Sequence, residues 1–352
     1  MTLAADLGKD RVTRARALHI VLLLLLVVVS TFSLMIGATD VALDQALWKM
    51  ATGAPLSQLE KVVLFDIRLP RLVLGLLVGA ALAVGGVVMQ GLFRNPLADP
   101  GLVGVSAGAG LGAISAIVLA GAAPLWMANA AGEHLVPFAA FAGGWFSTIL
   151  LYHISTRRGR TSVATMLLAG IALGALAGAL SGIFVYMADD AQLRDLTFWG
   201  LGSLSGASWA KVTGAGPIVL TALIGAATLG RGLNGLALGE ATAAHIGLSV
   251  QRLKNLSILC VAAATGAAVA VSGAIGFIGI VVPHLLRLAC GPDHRPLLIN
   301  AALLGALLLV LADVLARIVV APAELPIGIV TAVLGAPVFL WILLRQRGIV
   351  DL

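Results

Sequence analysis

The side chains able to do chemistry in this sequence are few, and they do not assemble into a reaction centre. No G-x-x-x-x-G-K-[ST] occurs, so the chain offers no P-loop for a nucleotide. The six histidines, at 19, 134, 153, 245, 284 and 294, are scattered, and no two stand four apart as a helical metal pair would. Cys260 and Cys290 fall in or beside apolar runs, where a thiol packs rather than ligates. What remains is charge placed where charge is costly. Asp313 and Arg317 are four apart, the spacing of a helical ion pair, inside an apolar run. Arg68 and Arg71 flank Pro70 at the entrance of another. One basic residue at a helix end usually snorkels to water. Two around a rigid proline, with Arg317 as a third, could form an exposed anion-binding surface. The chemistry on offer is recognition by charge, not bond making.

Three polar stretches interrupt the apolar sequence. LGEATAAHIGLSV, Leu238 to Val250, is too polar to span a bilayer and too apolar for a solvated linker. Ala241, Ala243, Ala244 and Gly247 would let another backbone approach closely, and Glu240 sits where it favours a helix dipole. DDAQLRDLTFWGLGSLS, Asp189 to Ser205, mixes three carboxylates, Arg194 and two aromatics. It reads as a wetted amphipathic loop and, from its place in the chain, as a candidate mouth. In FRNPLADPG, Phe93 to Gly101, Pro96 and Pro100 forbid a continuous helix, and Asp99 is placed to cap the next one.

The elements that must hold these groups are membrane helices. The chain has 352 residues, 60% hydrophobic and 11% charged, with a net charge of +6. So little charge could not cover a soluble protein of this length. The basic residues lie in short clusters between apolar runs, as loop charge does in membrane proteins, so nucleic acid is not the partner. The apolar stretch from Leu18 to Gly37 is longer than a signal-peptide core and reads as a retained helix.

Spans of about 20 apolar residues are expected at 18–37, 72–93, within 100–132, at 135–152, 161–188, 212–230, 297–320 and 325–344. The charge-free run from Asn255 to Pro283 holds either one steep span or two short ones broken at Ser272-Gly273. Two spans give ten helices and put fifteen of the 22 Lys and Arg residues on the inside; one span gives twelve against ten. The positive-inside rule selects ten. The chain is then a single integral membrane domain, 1–352. Its N-terminal segment 1–17, the loop 231–254 and its C-terminal segment 345–352 are cytoplasmic.

Glycines recur every four residues at Gly104, Gly108 and Gly112, and again at Gly170, Gly174, Gly178 and Gly182 in the fifth span. That spacing lines one helix face. Spacing alone favours packing within one subunit; a pathway wall or a subunit interface is the alternative.

These residues also carry a resemblance. RLPRLVLGLLVGAALAVGGVVMQGLFRNPLADPGLVGVSAGAG, LGEATAAHIGLSV, SGAIGFIGIVVPHLLRL, LLLVLADVLARIVVAPAELPIG and TAVLGAPVFLWILLRQR resemble, in order and spacing, blocks of the permease subunits of type II ABC importers for haem, iron–siderophores and cobalamin. The resemblance runs from about Leu18 to Arg347. It implies an all-α, polytopic fold of ten transmembrane helices in the bacterial inner membrane. It also implies a homodimer, two ATP-binding cassette ATPase subunits that do the hydrolysis, and a periplasmic binding protein.

Under that resemblance Leu238, Gly239, Glu240, Ala241, Ala243, Ala244, His245, Gly247 and Leu248 belong to a coupling helix that docks in an ATPase cleft, with Glu240 able to face a basic residue there. A helix lying on lipid would want more bulky apolar area. Arg68, Arg71 and Arg317 match positions that pair with binding-protein carboxylates. MQGLFRNPLADPG, DDAQLR followed by WGLGSL, and VAPAELPIG are most similar to bacterial haem importers. The expected cargo is thus haem, carried as substrate by a chain with no cofactor of its own and met by a periplasmic haem-binding protein. The glycine face of the fifth span would wall its path, and Arg194 would meet a propionate unless it pairs with Asp189, Asp190 or Asp195. His284 sits in a block shared by members with other cargo and is no haem ligand. A ferric siderophore or cobalamin remains the rival cargo. An ion-coupled secondary transporter is the rival machine, and it would want carboxylates at mid-membrane.

Overall fold

A computed structural model describes residues 2–37, 42–120 and 132–350. The helices, in chain order, are α1 (Thr2–Met35), α2 (Leu43–Thr52), α3 (Gln58–Phe93), α4 (Val105–Leu119), α5 (Leu135–Ser155), α6 (Val163–Met187) and α7 (Asp190–Leu201). They continue as α8 (Trp209–Thr228), α9 (Gly230–Ala237), α10 (Glu240–His245), α11 (Val250–Ser272), α12 (Ile278–Cys290), α13 (His294–Ile318) and α14 (Ile327–Val350). Among the described residues seven helices are long and apolar enough to cross a membrane: α3, α5, α6, α8, α11, α13 and the Thr13–Met35 part of α1. Val105–Leu119, Ile278–Cys290 and Ile327–Trp341 are apolar but shorter. Part of the third expected span, 121–131, and the last two residues of the C-terminal segment lie outside the described residues. The expected cytoplasmic segment 1–17 is helical from Thr2 and continuous with the first span.

Helix α3 is the axis of the bundle, packed between α13 on one side and α11 and α8 on others. Lipid tails are as apolar as leucine, so association is driven by close approach of backbones. Gly79 and Gly305 supply it: a Cβ on either would overlap the carbonyl oxygen of the other. By contrast α1 leaves Ile20, Leu24, Val27 and Val28 exposed, as a helix facing acyl chains should.

Two breaks obey the sequence. Pro70 clashes with a normal helical turn before it, and residues Val62–Arg68 widen into a π-turn. Between α11 and α12 the chain turns at Gly273, as the charge-free run suggested. The stretch from Asp189 is not a loop: Asp189 and Gln192 form a reciprocal capping box, which starts α7. Asp99 caps the short Pro100–Val103 turn that leads into α4, its carboxylate accepting from the Gly101 amide at 2.8 Å, and not α4 itself, which starts after Gly104 with no side-chain cap. Between α5 and α6 lies a two-stranded hairpin, Thr156–Arg157 against Arg160–Thr161.

The two glycine ridges have different fates. Gly104, Gly108 and Gly112 pack against α5, where added Cβ atoms would strike Ser147, Gly143 and Ala139. On α6, Gly170 is buried, but no described residue comes within 4 Å of a Cβ added at Gly174, Gly178 or Gly182. The packing favoured by spacing alone is therefore wrong for these three: their face is open.

Candidate functional site

Three groups of residues matter, at the two ends and on one flank of the bundle. The ends are separated by the length of α13, 25 residues or roughly 37 Å at 1.5 Å per residue.

At one end Arg68, Arg71 and Arg317 are brought together, but they do not make an exposed anion-binding surface. Their side chains are buried. Arg71 Nε donates to Asp313 Oδ1 at 2.9 Å, and its Nη1 donates to both oxygens of Glu324 at 2.9 Å. Arg317 Nη2 lies 3.1 Å from Asp313 Oδ2, the expected i,i+4 pair. Arg317 also donates to Ile36 O at 2.6 Å and Ser33 Oγ at 2.8 Å, and Arg68 donates to Leu34 O at 2.8 Å. The physical reason is the end of α1. Its last carbonyls have no helical partner, and two of the arginines supply donors to that end. Glu324, one-third exposed, is the outermost member of the network. Sequence reasoning missed both Glu324 and the α1 terminus.

At the other end α9 and α10 form a helical hairpin. Asn234 of α9 anchors it to the start of α13, donating to Asp293 Oδ1 at 2.7 Å and accepting from the His294 amide at 2.9 Å. Hydrogen bonding from Arg295, and then from Asn234, holds the Asp293 carboxyl down at about 2. Because the shift is downward, its contribution is complete above the unfolded value of about 4 and is lost only as pH falls through about 2. The Asp293 carboxylate is therefore ionised near neutrality.

Gly239 and Gly247 bracket α10 at φ 105° and 87°, values that disfavour any other residue. Ala241, Ala244, His245 and Gly247 face outward. Ala243 does not, correcting the expectation that it offers close approach: it is fully buried. Leu248 is half-buried and packs over Gly235. Leu238 and Ile246 are exposed by 66% and 60%, so the surface carries more bulky apolar area than its composition suggested. Glu240 is not waiting for an external cation alone: its Oε1 lies 2.8 Å from Lys254 Nζ of the same chain. Neither Ile246 nor Lys254 was singled out by sequence.

On the flank, the open face of α6 leads to α7. Arg194 is exposed and forms no ion pair with Asp189, Asp190 or Asp195. The carboxylate of Asp189 is engaged instead by the Gln192 amide. Among the described residues no cluster of His, Cys, Asp and Glu could hold a metal ion.

Comparison with known proteins identifies the family. Residues 24–345 match the FecCD transport family. The chain is 46% identical over 326 residues to the hemin transport system permease protein HmuU of Yersinia pestis, covering 93% of this chain and 95% of that one. It is 44% identical over 298 residues to the vitamin B12 import system permease protein BtuC of Salmonella typhi, covering 84% and 88%. Among solved structures it is similar to a metal-chelate type ABC transporter in an inward-facing conformation, with TM-score 0.81, 31% identity, and 94% and 99% of the two chains covered.

Proposed function

Because this chain belongs to the FecCD transport family and is a multipass permease of a type II ABC importer, we propose that its cargo is haem. One observation carries that choice: an apolar helix face stripped of side chains at Gly174, Gly178 and Gly182, with the exposed Arg194 just beyond its end. Haem is a flat, largely apolar ring with two carboxylates on one edge. It needs smooth walls and a cationic guide, and α6 and α7 provide both. The relative named for hemin transport supports the same reading.

In this account the three shorter apolar helices also cross the bilayer, for ten spans with both termini cytoplasmic. Two copies meet across the α6 face and enclose the path. Two ATPase subunits dock on α10 and its flanking residues, Leu238 to Leu248, and hydrolyse the ATP. A periplasmic haem-binding protein docks at the arginine end. There Glu324 is the replaceable partner of Arg71, and a carboxylate from the binding protein takes its place, while Arg68 and Arg317 keep the end of α1 in position. Nucleotide-driven closure of the ATPases selects between two arrangements of the permease pair.

The vitamin B12 relative favours a second reading, the same machine carrying cobalamin. Competition separates the two. Haemin and cobalamin are offered to the reconstituted importer with its cognate binding protein. Uptake of haemin with cobalamin ignored supports haem; the reverse assigns cobalamin and leaves the importer itself standing.

A further inference from the structure

We propose that Lys254 is a positioning residue that ties the movement of α10 to the start of α6, an inference that rests on the docking of ATPase subunits at α10. Lys254 lies in the second turn of α11, with its side chain 4% exposed. Its ammonium sits between two elements that otherwise belong to different parts of the fold. On one side Glu240 Oε1 of α10 is 2.8 Å away; on the other it donates to the carbonyl of Thr161 at 2.8 Å. Thr161 ends the hairpin, and the next residue, Ser162, caps α6.

The grip on Thr161 is complete. Gln251, one turn before Lys254, accepts from the Thr161 amide at 3.0 Å and donates to Thr161 Oγ1 at 2.7 Å. Gln251 also donates to Asn255 Oδ1 at 2.7 Å, which the Tyr152 hydroxyl of α5 reaches at 3.2 Å. Every polar atom of Thr161 is thus held by the first two turns of α11. Those turns hold α10 through the Lys254–Glu240 pair.

Energetics explain why such a joint transmits rather than absorbs motion. A buried ammonium that loses its carboxylate is an uncompensated charge in a poorly solvated site, which is strongly unfavourable. When α10 is displaced, the favourable course is for Lys254 to follow Glu240, and Thr161 follows Lys254. The element moved is α6, whose open glycine face is the wall proposed above. Glu240 itself is 45% exposed, so the pair is anchored on the Lys254 side and movable on the other.

A cysteine placed in the open face, Gly178→Cys, in a background with Cys260→Ala and Cys290→Ala, reports the state of α6 by its rate of reaction with a maleimide. The assembled complex with its ATPase subunits is labelled with and without ATP and vanadate. With Lys254 present, nucleotide changes the labelling rate. In Lys254→Met that change is lost while the ATPase subunits stay bound, because the outward face of α10 is untouched. Lys254→Arg restores it, since a guanidinium can reach both acceptors. Glu240→Gln, at a half-exposed position that threatens no core, loses it too, and the double variant loses no more than either single one. An unchanged nucleotide response in Lys254→Met or in Glu240→Gln overturns the proposal and leaves α10 docking intact. Loss of bound ATPase subunits from Lys254→Met also overturns it, because Lys254 then builds the docking face itself. Failure of the docking reading shows separately, as full assembly in Gly247→Trp, and removes this proposal with it.

Discussion

Replacing Asp313 by alanine tests the buried charge network. Asp313 receives Arg71 at 2.9 Å and Arg317 at 3.1 Å, and the two arginine side chains are only 8% and 6% exposed. Without it Arg71 keeps Glu324, while Arg317 keeps only neutral acceptors among the described residues, at Ser33, Ile36 and the backbone carbonyl of residue 313. Removing one partner of a buried pair costs about 3–5 kcal/mol, because the remaining charge is left uncompensated. Glu324 is 34% exposed, so water can replace it, and Glu324→Ala should cost about 1 kcal/mol or less. The two acids bind the same arginine, yet their removal should differ severalfold. Thermal unfolding in detergent can be followed with a thiol-reactive dye, since Cys290 is buried and Cys260 half-buried in the folded state. At roughly 2 °C per kcal/mol for a chain of this size, Asp313→Ala should unfold about 6–10 °C earlier, and Glu324→Ala within about 2 °C of wild type. Equal losses from the two variants, or an Asp313→Ala protein as stable as wild type, would refute the reasoning.

Other substitutions separate packing from function. Gly79→Val drives a side chain into the Gly305 backbone and should reduce the yield of folded protein, read by size-exclusion chromatography, whereas Gly178→Val should fold normally and lose haemin uptake. Gly247→Trp places a bulky residue at φ 87° on the outward side of α10; it should insert normally but fail to retain ATPase subunits on co-purification. Arg194→Ala should slow haemin uptake while assembly persists, and Arg194→Lys should recover part of the rate, because a guide needs charge more than a fixed fork.

Several features of the fold were legible in sequence because they follow from local rules. The break at Gly273, the cap at Asp99 and the Asp313–Arg317 spacing each depend on residues within a few positions of one another. What escaped depends on contacts across the chain. Arg68 and Arg317 resemble docking groups until α1 ends beside them and needs donors for its last carbonyls. Glu324 stands 253 residues from Arg71, and no periodicity connects them. Glu240 looks like a free charge until Lys254 folds back onto it. The two glycine ridges have the same spacing, yet one is packed and one is open, because α5 covers the first and no described element covers Gly174, Gly178 and Gly182. At Asp189 the capping box was present in the sequence, but the acidic and glycine-rich composition around it outweighed that signal.

The central claim is that this permease, with its ATPase and binding-protein partners, carries haem inward at the expense of ATP. The direct measurement is haemin uptake into proteoliposomes containing the reconstituted complex, with ATP inside and haem-loaded binding protein outside. Uptake that requires both ATP and the binding protein, and that excess cobalamin or ferric siderophore leaves unchanged, is the predicted result. No haemin uptake under conditions where the same vesicles accumulate cobalamin or a ferric siderophore would contradict it.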